Sequence, residues 1–240
     1  MNYRELIYRS YYSHHSKFFC GEPDRRAIKK QFPVYNRYYG QFLPKDKFAR
    51  IIELGCGYGA FICWLQHLRY QNVKGVDISP EQVELSRKLG IDNIFKGDVK
   101  DFLLKNREKF DLIFMKDILE HFSKEEIVDV LKSAFGALDA NGLVLIQTSN
   151  AVNPFSGRIR YGDFTHEISF TDTSLGQVLR AVGFGKIQCY PMEPVPHSLL
   201  SFVRFLFWKV IEGILRFYLL IETGTGKGIL TQGLLCLAKK

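Results

Sequence analysis

From residue 50 to residue 150 the chain alternates short apolar runs with amphipathic stretches. ARIIELG, NVKGVDI, DNIFKGD, FDLIFMK and GLVLIQT each read as a strand buried on both faces, because apolar residues run together between Gly, Asp or Asn. Helical stretches lie between them. One spans Ala60 to Tyr70; another opens with Ser79 as its cap and Pro80 in its first turn. Ser123 and Glu126 have capping-box spacing and open a third, expected to end near Asn141-Gly142. Strands alternating with helices predict a mostly parallel α/β sheet covered on both faces.

After Asn150 the rhythm changes. Ala151 to Phe170 is a long connection rich in Gly, Pro, Asn, Arg and His, a length often given to function. Thr173 to Val182 is helical again, followed by a strand at Lys186–Tyr190 and a closing strand in LLCLAKK. Between those last two strands lies an insertion, Pro191 to Gly228.

The chemistry concentrates at IIELGCGYGAF. An apolar run ends in an acid, Glu53, and Gly55, Gly57 and Gly59 follow at alternate positions around Cys56 and Tyr58. Glycines there let the loop turn sharply and let a ligand lie against bare backbone. Asp77 closes the next apolar run, one strand–helix–strand unit later. A glycine loop for one end of the ligand and a carboxylate for the ribose hydroxyls make the layout of a nucleoside pocket.

A chain of 240 residues fits one domain with insertions. The net charge of +8 permits anionic partners, but no basic run or nucleic-acid motif sharpens that reading. Cys20, Cys56, Cys63, Cys189 and Cys236 form no CxxC pair, so neither a zinc site nor a disulfide framework is indicated, and a reducing cytoplasmic setting fits. The polar, aromatic N-terminus lacks the apolar core of a secretion signal.

With these segments in view, the chain resembles the class I S-adenosylmethionine-dependent methyltransferases. ELGCGYG resembles their glycine-loop motif, GVDIS the ribose motif, GDV the adenine motif and FDLIFMKDILEHF the strand-four motif. The stretch NPFSGRIRYGDFTHEISFTDTSLGQVLRAVGF is similar to enzymes of bacterial surface-polysaccharide and small-molecule pathways. A dinucleotide-binding dehydrogenase would show GxGxxG, whereas GCGYG is followed here by Ala60-Phe61.

The resemblance implies a Rossmann-like methyltransferase fold with a seven-stranded sheet and S-adenosylmethionine as cofactor. It divides the chain into an N-terminal lid (1–49), a cofactor-binding core (50–150), an acceptor-side loop (151–172) and an amphipathic helical insertion (191–228). It also implies roles. Gly55, Cys56, Gly57 and Gly59 would cradle the methionine part, with Glu53 acting indirectly through charge and hydrogen bonds to loop amides. Asp77 would take the ribose hydroxyls and Ile78 would pack on adenine. Asp98 and the Val99 amide would meet the adenine ring, and the Met115 carbonyl, at the end of strand four, the methionine ammonium. Glu53 and Asp98 are also readable as ordinary turn residues, and the Met115 side chain as core.

A hydroxyl acceptor needs a base during attack. The candidates are His121, just past strand four, and His166 in the long loop, with Asp163 either orienting it or acting as the base. A helix-capping role for His121 and a structural loop network around His166 are the plainer alternatives. Asp163, His166 and Glu167 could also hold a divalent metal, but no spacing demands one, and none is expected. Tyr3, Tyr8, Tyr11, Tyr12, His14 and His15 could fold over the donor as a lid or sit on a helix packed on the sheet.

Ser198 to Ile221 reads as an amphipathic helix with a wide apolar face, interrupted by Arg204, Lys209, Glu212 and Arg216. It could pack over the acceptor side of the sheet, join two copies in a homodimer, or lie on the inner membrane surface. The expected activity is O-methylation of a sugar or similar small metabolite, with polysaccharide assembly as the expected setting. A quinone or lipid methyltransferase, a nucleic-acid methyltransferase without its usual Asn-Pro-Pro-Tyr signature, and a non-catalytic scaffold are the competing readings.

Overall fold

The structure, a computed structural model, describes residues 3–16 and 23–240. Cys20 lies outside the described residues, as does the side chain of His15. The chain begins with a short helix α1 (Tyr3–Tyr8), then α2 (Arg25–Lys30) and α3 (Phe32–Tyr39). The core alternates β1 (Arg50–Leu54), α4 (Ala60–His67), β2 (Asn72–Asp77), α5 (Pro80–Lys88), β3 (Ile94–Lys96), α6 (Val99–Lys105), β4 (Phe110–Lys116), α7 (Lys124–Ala137) and β5 (Leu138–Ser149). It closes with α8 (Ser156–Arg160), α9 (Asp172–Val182), β6 (Gly185–Pro191), α10 (Leu199–Thr223) and β7 (Gly233–Lys239).

The seven strands form one sheet in the order β3-β2-β1-β4-β5-β7-β6, with β7 antiparallel to both of its neighbours and the rest parallel. The central parallel strands β1 and β4 are covered on both faces, which is why their apolar runs are unbroken, whereas the edge strand β3 leaves Phe95 and Lys96 exposed. In β4, Ile113 and Met115 enter the core under α6, α7 and α9, while Leu112 and Phe114 enter the core under α3 and α4. Strand order reverses between β1 and β4, and ligands bind outside the carboxyl ends of the strands at such a point.

The capping residues fall where the sequence places them. The Ser79 hydroxyl accepts from the Gln82 amide, and Ser123 with Glu126 completes a capping box. Two boundaries differ. Helix α4 stops at His67, and α7 stops at Ala137, ahead of the expected Asn141-Gly142. The Asn-Gly pair instead sits inside β5, where pairing jumps from Phe110↔Leu138 to Leu112↔Leu143. A Cβ on Gly142 would come within 2.9 Å of the Phe110 carbonyl, so the irregularity needs a residue without a side chain.

Helix α10 also departs from one expectation. It does not bury its apolar face over the sheet; Ser201 is its buried residue, while Leu200, Phe207, Ile214, Phe217 and Ile221 are exposed. No described helix is long and apolar enough to cross a membrane.

Candidate active site

The loop after β1 is shaped by three left-handed glycines, at φ of 71° (Gly55), 54° (Gly57) and 84° (Gly59). Two of the positions also lack room. A Cβ on Gly55 would meet Ile118 Cδ1 at 2.5 Å, and one on Gly59 would meet Ile94 Cδ1 at 2.3 Å. Gly57 has no such neighbour within 3.4 Å, so there the backbone angle alone favours glycine.

The loop is tied to the end of β2. The Gly55 and Cys56 amides donate to the Val76 carbonyl at 2.9 and 3.1 Å. The Gly57 amide donates to Asp77 Oδ2 at 2.7 Å, and the Ser79 amide to Asp77 Oδ1 at 2.9 Å. Burial pushes the Asp77 carboxyl up, and these two amides draw it back down. A carboxylate oxygen accepts more than one hydrogen bond, so each can still receive a hydroxyl. Ile78, the next residue, is an exposed apolar side chain at the same edge.

Glu53 is buried, and its Oε2 has no hydrogen-bond partner. Burial pushes its carboxyl well up, against the pull of Lys116. The loop amides expected to bond to Glu53 go instead to Val76 and Asp77. A buried carboxylate oxygen left this way is costly, and a cationic ligand group at the sheet edge would satisfy it.

Met115 does not end its strand. It is fully buried and laddered to Leu54 and Ile146, and β4 continues to Lys116. The chain leaves the sheet at Asp117, which has a positive φ of 51°. The Asp117 carboxylate accepts from Lys116 Nζ at 2.9 Å and from Gln147 Nε2 at 3.0 and 2.9 Å. Gln147 Oε1 in turn accepts from the Tyr39 hydroxyl. The adjacent carboxylate holds Lys116 well above the ordinary lysine range.

Asp98 caps α6: its Oδ1 accepts the Lys100 and Asp101 amides at 2.9 and 3.1 Å. The turn-residue role is therefore present. Val99 is the first residue of α6, where an amide has no partner within its own helix.

On the acceptor side, His121, Asp163 and His166 come together. The His121 and His166 rings lie 4.6 Å apart between centroids. The Thr165 hydroxyl donates to Asp163 Oδ1 at 2.6 Å and sits 2.8 Å from His121 Nδ1. With its proton directed at Asp163, Thr165 accepts from His121 Nδ1–H, which places the basic nitrogen at Nε2. His166 Nδ1 lies 2.9 Å from the Ile159 carbonyl and must donate to it, so its basic nitrogen is also Nε2. Asp163 is thus linked to His121 through Thr165, whereas the sequence offers it either as orienting His166 or as the base. Beneath them the buried Glu120 accepts from the Thr148 hydroxyl at 2.9 Å, and burial pushes its carboxyl up to about 8.

The N-terminal segment crosses this edge. The Tyr11 hydroxyl donates to Asp163 Oδ2 at 2.5 Å, and Ser13 bonds to Glu81 on α5 through its amide at 3.0 Å and its hydroxyl at 2.5 Å. Arg4 pairs with Glu126 at 2.6 Å, and the Tyr3 hydroxyl donates to Glu167. Tyr8 and Tyr11 both set ring edges against His121.

A family model described as a methyltransferase domain matches residues 27–188. Among solved structures, a SAM-dependent methyltransferase from Archaeoglobus fulgidus has a TM-score of 0.66 at 19% identity, over 96% of this chain and 100% of its own. The plantazolicin methyltransferase BpumL, solved with SAH, has a TM-score of 0.59 at 18% identity, over 99% of this chain and 95% of its own. A methyltransferase from Mesorhizobium loti has a TM-score of 0.59 at 17% identity, over 86% of this chain and 98% of its own. No curated protein matches the sequence.

The chain is a class I, S-adenosylmethionine-dependent methyltransferase.

The residues present fit the cofactor of this methyltransferase. The loop is open backbone, Asp77 has acceptor capacity beside it, and the unpartnered Glu53 oxygen offers a site for a cation. The enzyme also carries groups that sequence reasoning missed: Thr165, Tyr39, Lys116, Asp117, Gln147 and Glu120. Thr165 and Glu120 lie inside motifs read for their histidines, and Gln147 lies in a strand read only for its apolar residues. The metal alternative changes membership. Ligand atoms of His121, Asp163 and His166 lie within 4.8 Å of one another, while Glu167 is engaged by Tyr3 and Arg4.

Proposed function

We propose that the enzyme methylates a hydroxyl of a sugar or similar small metabolite, within polysaccharide assembly and in the cytoplasm. The observation that carries this reading is the chain His121–Thr165–Asp163, with His166 against it. A hydroxyl becomes a useful nucleophile only as its proton leaves, and an oriented imidazole is suited to take it. The four described cysteines are free thiols, which agrees with a reducing setting.

S-adenosylmethionine supplies a methyl group on a sulfonium that needs no further activation. The protein's work is to hold donor and acceptor in line and to exclude water. In this reading Asp77 holds the ribose, Ile78 and the Asp98–Val99 turn border the adenine, and the loop Gly55–Gly59 takes the methionine part. Glu53 takes the ammonium directly, through its unpartnered oxygen. His121 Nε2 removes the acceptor proton, and Asp163, acting through Thr165, stabilises the imidazolium. The segment bearing Tyr8 and Tyr11 covers the site as a lid.

The test is turnover of the purified enzyme with S-adenosylmethionine and a panel of nucleotide sugars and saccharide carriers, read as adenosylhomocysteine release and a methylated product. Absence of product from every hydroxylated acceptor, with methylation of RNA, would overturn the reading. The exposed apolar side chains of α10 favour a second reading, a quinone or lipid acceptor, which the same assay separates.

A further inference from the structure

Helix α10 is turned inside out relative to an ordinary surface helix. Its polar residues tie it to the segments on either side of it. Lys209 pairs with Glu193 at 2.6 Å and with Glu212 at 3.0 Å, and Arg216 pairs with Glu212 at 2.7 Å. Arg216 also donates to the Gly226 carbonyl at 2.8 Å. The opposite side faces outward, with Leu200 73%, Phe207 67%, Ile214 63% and Phe217 64% exposed.

On a helical wheel the outward residues fill about 180° of the circumference, over roughly 35 Å of helix length. That sector contains no Asp, Glu, Lys or Arg. A continuous apolar surface of this extent on a soluble chain marks a binding site. We propose that α10 docks the enzyme on the surface of a bilayer containing anionic lipids, lying in the interface with this sector among the acyl chains.

Three observations select the bilayer over a second copy of the chain. A helix packed against a partner helix buries a stripe of about 100°, so pairing two copies through α10 would leave much of each sector in water. A lipid surface covers the whole sector at once. Arg204 flanks one edge of the sector, where a long side chain reaches headgroups, with Glu222 on that edge near the helix end; Lys209, on the other edge, is tied to Glu193 and Glu212. The net charge of +8 adds attraction to an anionic leaflet. The polar residues on the inner side, held by Glu193 and Gly226, keep the helix from spanning. The proposal stands apart from the identity of the acceptor.

The test uses the full chain with phosphatidylcholine vesicles, with and without phosphatidylglycerol, read by co-sedimentation. Wild type is expected to pellet with the anionic vesicles and to be weakened by salt. The double variant Phe207→Glu/Phe217→Glu is expected to bind at least about tenfold less, each substitution removing the burial of an aromatic side chain. Both side chains are exposed, so its melting temperature and S-adenosylmethionine binding should match wild type. Wild type remaining in the supernatant, or the double variant pelleting equally well, overturns the proposal. So does a dimer in light scattering that the double variant dissociates, with no vesicle binding by either protein.

Discussion

The amide of Gly57 donates to Asp77 Oδ2 at 2.7 Å, so the acid that ends β2 also fixes the glycine loop that follows β1. One carboxylate thereby sets the loop's shape and, in the proposed reading, also takes the ribose hydroxyls. Asp77→Asn would turn an amide NH₂ toward either the Gly57 or the Ser79 amide, setting donor against donor. We expect S-adenosylmethionine to bind at least about tenfold more weakly, from the loss of charge-assisted hydrogen bonds. Titration calorimetry measures this, and unchanged affinity would remove Asp77 from the pocket.

Thr165 joins His121 to Asp163 by hydrogen bonds of 2.8 and 2.6 Å. Thr165→Val keeps the shape and removes the hydroxyl, leaving the His121 Nδ1–H without this acceptor. The turnover number should fall about 10²-fold, the lower end of what general-base catalysis contributes, with little change in the KM for the donor. Thr165→Ser should restore much of it. Equal losses in both variants, or a change confined to KM, would mean that the hydroxyl only supports the loop.

The sheet and its helices were legible because their causes are local. Unbroken apolar runs mean strands buried on both faces, and Ser79, Pro80, Ser123 and Glu126 carry their capping chemistry in plain view. The end of α7 was misread because Asn141-Gly142 signals a turn in any context; only the pairing of β5 with β4 reveals an irregular strand there. Naming His121, Asp163 and His166 as separate candidates was within reach of the motifs that carry them. The link through Thr165 was not, since it depends on how the loop folds back over forty residues of chain. The orientation of α10 was hidden for a related reason. A helical wheel separates polar from apolar sides, but only Glu193 and Gly226 show that the polar side faces inward.

His121, Asp163 and His166 lie close enough to hold a divalent cation, yet their hydrogen bonds already define another use. Asp163 accepts from the Thr165 amide at 2.8 Å, from the Thr165 hydroxyl at 2.6 Å and from Tyr11 at 2.5 Å. A metal on Asp163 would compete with Tyr11. Turnover should therefore be unchanged after chelation with EDTA, with no stoichiometric metal in the purified enzyme by elemental analysis. Loss of activity restored by one divalent ion would make the cluster a metal site and displace His121 as base.

Glu120 ties stability to pH. Its carboxyl is buried and pushed up to about 8 from an ordinary 4.5, first by burial and then by Asp117. The unfolded chain gives up this proton near its ordinary value, whereas the folded chain keeps it until about 8. The stabilisation is complete below the unfolded value and is lost as pH rises through the folded one. The melting temperature should therefore drop between about pH 5 and pH 8, by an amount corresponding to a few kcal/mol. Glu120→Gln remains neutral and can still accept from Thr148 through its amide oxygen. It should flatten the decline and melt higher than wild type at about pH 8, where the wild-type carboxylate is buried and charged. Thermal scans of both proteins across this range decide the matter, and parallel curves would assign the pH dependence to other groups.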